Sequence, residues 1–218
     1  MQRTFIPRFA ELHFGLIHFY EEADVEHSEL VRRLAKPGSQ IAKEMTADGA
    51  HLLHMIVGVC GEAGELLEAI TATAVCHLPL NRSNVVEELG DLEFYLEGLR
   101  QGCQITRGET RRRSIGDKSE IVETGGYSLA FHAAVEICIE SGKLLDAVKK
   151  SVVYQKSLDL GELVRSLSNF EFSMEEFRQS LAITRDETLA CNIEKLKVRY
   201  ASLSYSDHAA QTRADKDE

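Results

Sequence analysis

Tryptophan is absent from the 218 residues, and proline occurs only three times. Proline breaks a helix by removing a backbone donor and clashing with the preceding turn, so little here interrupts one. The five cysteines include no C-x-x-C pair, which excludes zinc-ribbon and thioredoxin-type patterns. Their odd number, and the lack of an apolar leader in residues 1–9, lead us to expect reduced thiols in a cytoplasmic protein. No apolar run approaches the length that spans a bilayer, so no membrane partner is expected. Positive charge is also short: 35 acidic against 25 basic residues leave a net charge of −10. That argues against stable nucleic-acid binding, although a local basic patch could hold one phosphorylated ligand.

What is present favours helices. Leu, Ala, Glu and Lys are abundant, and 44% hydrophobic residues suffice for a sizeable core. Apolar residues between Phe14 and Tyr20 suggest a short helix or docking arm. Leu30, Val31, Leu34, Ile41 and Ala42 fit an amphipathic helix over about 25–45, interrupted by the turn residues Lys36-Pro37-Gly38. A helix is expected from Thr46, which can cap it, to about Val75. After a loop over 77–84, Ser83 or Asn84 can cap a further helix from Val85 to about Gln104.

Two acidic segments organise the chain: Gly61-Glu62-Ala63-Gly64-Glu65 and Glu87-Glu88-Leu89-Gly90-Asp91. Residues three apart share one helix face, so Glu62 and Glu65 point together from one helix and Glu88 and Asp91 from another. Glu-rich helices are commonly just solvated, but Gly58, Gly61, Gly64 and Gly90 cost about 1 kcal/mol each relative to alanine. Close approach of two helices around ions would compensate. Four converging carboxylates need cations, and hard oxygen ligands suit Mg²⁺ or, alternatively, Mn²⁺. A ferritin-like di-iron site would need Glu-x-x-His motifs, which these segments lack.

This E-x-x-E at Glu62 and Glu65, followed by E-x-x-D at Glu88 and Asp91, resembles the motif of the MazG-like, all-α nucleoside triphosphate pyrophosphohydrolases, relatives of the dimeric dUTPases. The flanking residues Leu30–Gly38, His51–Met55 and Asp91–Leu96 are similar too. The resemblance implies an all-α helix bundle and Mg²⁺-dependent cleavage of a nucleoside triphosphate to the monophosphate and pyrophosphate. Glu62, Glu65, Glu88 and Asp91 would then be the metal ligands and catalytic carboxylates. It also implies, by likeness alone, substrate contacts from Lys36, Asn192, Lys195, Arg199 and Lys216. A non-catalytic nucleotide-sensing or helix-bundle interaction module is the alternative.

An offset of 78 residues aligns 51–110 with 129–188 without a gap, carrying His54 to His132, Cys60 to Cys138, Gly64 to Gly142 and Ile105-Thr106-Arg107 to Ile183-Thr184-Arg185. The likeness exceeds a shared apolar period and indicates tandem duplication. The first repeat spans 1–110, a linker 111–128, and a degenerate second repeat 129–218. In the second, Glu65 becomes Lys143, Glu88 becomes Ser166 and Asp91 becomes Asn169, so it should hold no metal. It carries Lys149, Lys150 and Lys156 instead, resembling the basic stretch that family members place after E-x-x-E. These observations suggest a pseudo-dimeric chain in which the first copy supplies carboxylates and the second the cations that meet a triphosphate. Two chains could still form a homodimer.

His51 and His54 precede Glu62 at helical steps and can line the cleft; His54 recurs as His132, which also suits a structural role. Tyr95, one turn beyond Asp91, is a candidate for stacking on the nucleoside or for the core.

Overall fold

The computed structural model describes residues 24–111 and 126–216, all of whose regular structure is helical with no strand. The expected arm before Tyr20 and most of the expected linker lie outside the described residues.

The described residues up to Glu44 form one unit. Within it α1 is helical over 24–34, and α2 spans Gly38–Glu44. The break falls at Lys36-Pro37, where the Pro37 carbonyl accepts from Gln40 and Ile41 at 3.0 and 3.1 Å. Lys36 pairs with Glu44 inside the same unit.

The second unit starts at Met45. It comprises α3 (Ala47–Ala74), α4 (Arg82–Cys103), α5 (Arg107–Arg111), α6 (Gly126–Tyr154), α7 (Leu160–Ser180), α8 (Arg185–Arg199) and α9 (Asp207–Thr212), then a 3₁₀ turn at Ala214–Lys216. Thr46 caps α3 as expected, accepting from Gly49 N at 3.0 Å. The cap of α4 is Asn81, not Ser83 or Asn84: its Oδ1 accepts from Asn84 N at 3.2 Å. The helix therefore starts three residues earlier than Val85. Residues 126–128, expected in the linker, already belong to α6.

Local structure repeats at the sequence offset. His77 and Gln155 follow α3 and α6 with φ of 57° and 55°, and Gln104 and Ala182 follow α4 and α7 with φ of 57° and 52°. Ile105 and Ile183 each donate back, to Arg100 O and Arg178 O, both at 2.9 Å. Asp159 caps α7 as Asn81 caps α4.

Helices α3 and α6 are antiparallel: Gly49 lies beside Val152, Cys60 beside Ser141, and Ala63 beside Cys138. The contact is reciprocal. Cys60 Sγ donates to Ser141 O at 3.6 Å and Cys138 Sγ to Ala63 O at 3.2 Å, each thiol meeting the carbonyl three residues beyond the other thiol. Ile56, Val59, Leu66 and Ile70 of α3 and Ala134, Ile137, Leu144 and Val148 of α6 are fully buried between α4 and α7, whose Leu89, Leu92, Leu99, Leu163, Leu167 and Phe170 complete the core. Burial of these apolar side chains, each contributing roughly 1.5–3 kcal/mol, drives the packing.

A buried charge cluster joins the copies at one end. Glu93 accepts from Arg178 at 2.6 Å, from Arg185 at 2.8 and 2.9 Å, and from Arg107 at 2.9 Å. Arg100 pairs with Glu171, the residue matching Glu93 in the other copy. Burial pushes the Glu93 carboxyl up, but hydrogen bonds from Arg185 and Arg107 and the charges of Arg107 and Arg178 outweigh it and hold the group down at about 2.

Candidate metal and anion site

The first acidic pair lies on α3 and the second on α4, and their packing brings Glu62, Glu65 and Glu88 together: one carboxylate oxygen from each lies within 4.8 Å of the others. Glu88 is buried, Glu62 half-buried and Glu65 exposed. Asp91 lies outside this trio. Its Oδ1 accepts from Asn192 Nδ2 of α8 at 2.7 Å, and its Oδ2 pairs with the Lys195 ammonium. Lys195 also reaches Glu87 Oε1 at 2.7 Å, an oxygen shared with Lys216 at 2.6 Å.

Glycine makes two of the close approaches possible. A Cβ on Gly90 would stand 2.9 Å from both Asn192 Cβ and Thr188 O, so its absence lets α8 lie directly on α4. A Cβ on Gly58 would strike the Tyr95 ring at 2.3 Å. A Cβ on Gly61 or Gly64, expected to serve the same purpose, would meet none of the described residues within 4 Å.

A cavity of about 360 Å³ adjoins the acids, with Glu62, Asp91, His54, Tyr95, Arg199 and Arg213 among its walls. Glu62 thus belongs to both the carboxylate trio and the cavity. Burial, then the charge of Asp91 and a hydrogen bond shared with Glu88, push the Glu62 carboxyl up to about 8. Burial raises Glu88 as well. The Tyr95 phenol is pushed up by burial and by the charges of Glu62 and Asp91. In contrast, burial would raise Glu87, but hydrogen bonds from Lys195 and Lys216 bring it below its ordinary value. Burial and neighbouring negative charge thus favour the protonated form of Glu62 and of Glu88.

Arg199 makes a two-pronged pair with Asp215, both contacts at 2.6 Å. This pairing raises Arg199 and holds Asp215 at about 2. Arg213 caps α9 with φ of 49° and makes no ion pair among the described residues.

The other expected contacts are distributed differently. His54 lines the cavity edge-on to Tyr95, with ring centroids 6.1 Å apart. His51 instead places Nε2 3.2 Å from Gly98 O and is not a wall of the cavity. Lys149 and Lys150 lie near Asp146, at 3.8 and 2.6 Å, with half their side-chain surface exposed. They and Lys156 do not line this cavity. The cations beside the acids come from α8 and the segment after it. Arg213, Tyr200 and Tyr205 were missed as candidate site residues by sequence reasoning; the only hint was the charged tail from Arg213 to Lys216.

In the second copy Glu140, the counterpart of Glu62, receives the Lys143 ammonium at 2.7 Å and the Asn169 amide at 3.4 Å. A built-in cation there faces the one carboxylate retained. In the first copy the oxygen-only donor set of Glu62, Glu65 and Glu88 suits a hard divalent cation, while Arg199 and Arg213 suit an anion.

Comparison with protein-family models, curated proteins and solved structures finds no match to this chain.

Proposed function

We propose that the chain is a Mg²⁺-dependent nucleoside triphosphate pyrophosphohydrolase, a hydrolase of acid anhydrides acting on the nucleotide pool. One observation carries the reading: Glu62 belongs to a three-carboxylate cluster and to a cavity that also holds Arg199 and Arg213. Glu62, Glu65 and Glu88 would hold Mg²⁺, or Mn²⁺, and such an ion neutralises phosphate charge and makes water more acidic. Arg213 binds a phosphate oxygen directly, and Arg199 does so on leaving Asp215. Tyr95, fixed over Gly58, forms a wall for the nucleoside. Asn192 and Lys195 orient Asp91 toward the cluster's flank.

The fold reading that accompanies this function is a pseudo-dimer of the all-α pyrophosphatase type. The reciprocal thiol contacts and repeated helix ends support it. The first copy contributes acids, and the second contributes Asn192, Lys195, Arg199 and Arg213.

A second reading, a nucleotide sensor without turnover, is favoured by the Asp91–Lys195 pair, which already gives the fourth carboxylate a cation. Magnesium-dependent release of pyrophosphate from a panel of ribo- and deoxynucleoside triphosphates separates the two. Hydrolysis that is lost in Glu62→Gln, Glu65→Gln and Glu88→Gln establishes the enzyme. Magnesium-dependent nucleotide binding without product would leave the sensor.

A further inference from the structure

A second cavity, of about 370 Å³, shares Phe94, Leu196, Tyr200 and Tyr205 with the first. Ile193 and Leu203 line it alone. Its walls differ in chemistry from those of its neighbour. Among the described residues no carboxylate or arginine lines it, and three of its four polar side chains have partners: Lys197 donates to Glu194 at 2.7 Å, Ser204 Oγ lies 2.9 Å from Ser202 Oγ, and Tyr205 OH donates to Asp207 at 2.7 Å, the Tyr200 phenol being the fourth. Tyr200 and Tyr205 have ring centroids 6.1 Å apart and are tilted by 37°. Leu203 and Tyr205 are 79% and 70% exposed. An aromatic and aliphatic cleft therefore adjoins a cavity that holds cations and acids, the two sharing four walls.

We infer that this cleft is the subsite for the flat end of a polyphosphate-bearing ligand, a nucleobase, which it takes by stacking and apolar contact without hydrogen-bonding the base edge. The inference rests on reading the adjoining cavity as the polyphosphate site. Adjacency across four shared walls selects a ligand with one anionic and one flat, weakly polar end. A pocket that donates and accepts few hydrogen bonds cannot reject a base by leaving its own polar groups unpaired, which is the source of very large discrimination. Selectivity should follow stacking area, purines above pyrimidines, with little difference between bases of equal size. Base stacking on aromatic side chains tightens binding by on the order of 10-fold.

The test is calorimetric binding in Mg²⁺ of inorganic triphosphate and of α,β-imido analogues of dATP, dGTP, dCTP and dUTP. The full chain is compared with Leu203→Ser and Ile193→Ala, positions that line only the cleft and are exposed enough to preserve folding, as checked by helical circular dichroism. We expect purine analogues to bind on the order of 10-fold tighter than inorganic triphosphate and pyrimidines in between. Both variants should reduce the base's advantage and leave inorganic triphosphate unchanged. The subsite is overturned if the base adds no affinity, if one base exceeds another of its size by about 100-fold, or if the variants weaken inorganic triphosphate equally. It is also overturned if they abolish self-association of the chain and alter no binding. Failure of inorganic triphosphate itself to bind would sink the underlying polyphosphate reading, a different result from losing the base contribution alone.

Discussion

Asn192 of α8 donates its side-chain amide to Asp91 of α4 at 2.7 Å, joining residues 101 positions apart. One turn further along α8, Lys195 takes the other Asp91 oxygen and Glu87 as well. A cation carried by the protein thus faces the carboxylate beside the acidic trio, and an added divalent ion must act against it. Lys195→Met should tighten Mg²⁺ uptake by on the order of tenfold, equivalent to ~1.4 kcal/mol, while lowering Tm in chelator. Calorimetry showing unchanged or weaker uptake would remove this competition.

The same contact depends on Gly90. Gly90→Ala places a methyl 2.9 Å from a backbone oxygen and from Asn192 Cβ, so α8 must move off α4. We expect a loss of about 1–3 kcal/mol in urea unfolding, as for overpacked cores. Gly61→Ala and Gly64→Ala meet open space and should gain up to ~1 kcal/mol from helix propensity. Equal effects at all three positions would show that α8 packing does not depend on Gly90.

Glu62 gives a pH dependence of definite sign. Its carboxyl titrates at about 8 in the folded chain against an ordinary value of 4.5. Between those values the folded state holds a proton that the unfolded chain has lost, so this group's contribution to stability is complete below 4.5 and disappears as pH rises to about 8. In chelator, Glu62→Gln should flatten the decline in Tm across that window. A divalent ion competes with the same proton, so its affinity should increase toward about pH 8 and then level off. Calorimetric affinity independent of pH over this range would contradict the assignment of Glu62 as a ligand.

Glu93 has the opposite sign. Held at about 2 among three arginines, it contributes stability above 4.5 that is lost as pH falls toward 2. Removing Glu93 leaves Arg178, only 3% exposed, without its buried partner. Glu93→Gln should therefore cost about 3–5 kcal/mol, measured by urea unfolding near neutrality, and should shift the acid-unfolding midpoint upward. A cost below about 1 kcal/mol would place the pair among solvated ion pairs.

Much of the helical plan was legible because it depends on local chemistry. The Lys36-Pro37 break, the Thr46 cap and the span of α3 follow from residues adjacent in the chain. The α4 cap was misplaced because Asn81, Ser83 and Asn84 are all good capping residues and only backbone geometry selects Asn81. The pairing of Glu62 with Glu65 was visible through helical spacing, whereas the capture of Asp91 by α8 was not, because no local pattern links positions 91 and 195. Lys149, Lys150 and Lys156 stand out as a basic run, yet the first two, at the end of α6, and the third, just beyond it, lie outside the cavity. Arg213 belongs to a charged tail in which nothing local marks it as a wall of the cavity, and it takes that place at a single left-handed residue.

Periodicity and composition alone determined that this chain builds helices, that its segments recur at an offset of 78, and that carboxylates cluster in one copy and not the other. Those properties are local or can be found by comparing the chain with itself. The tertiary structure decided which acids meet, which cation neutralises Asp91, and which arginines share a cavity with Glu62. These outcomes depend on how helices distant in sequence pack, where the absence of a single Cβ at Gly90 allows α8 to approach and the buried Glu93 cluster anchors the arginines of both copies.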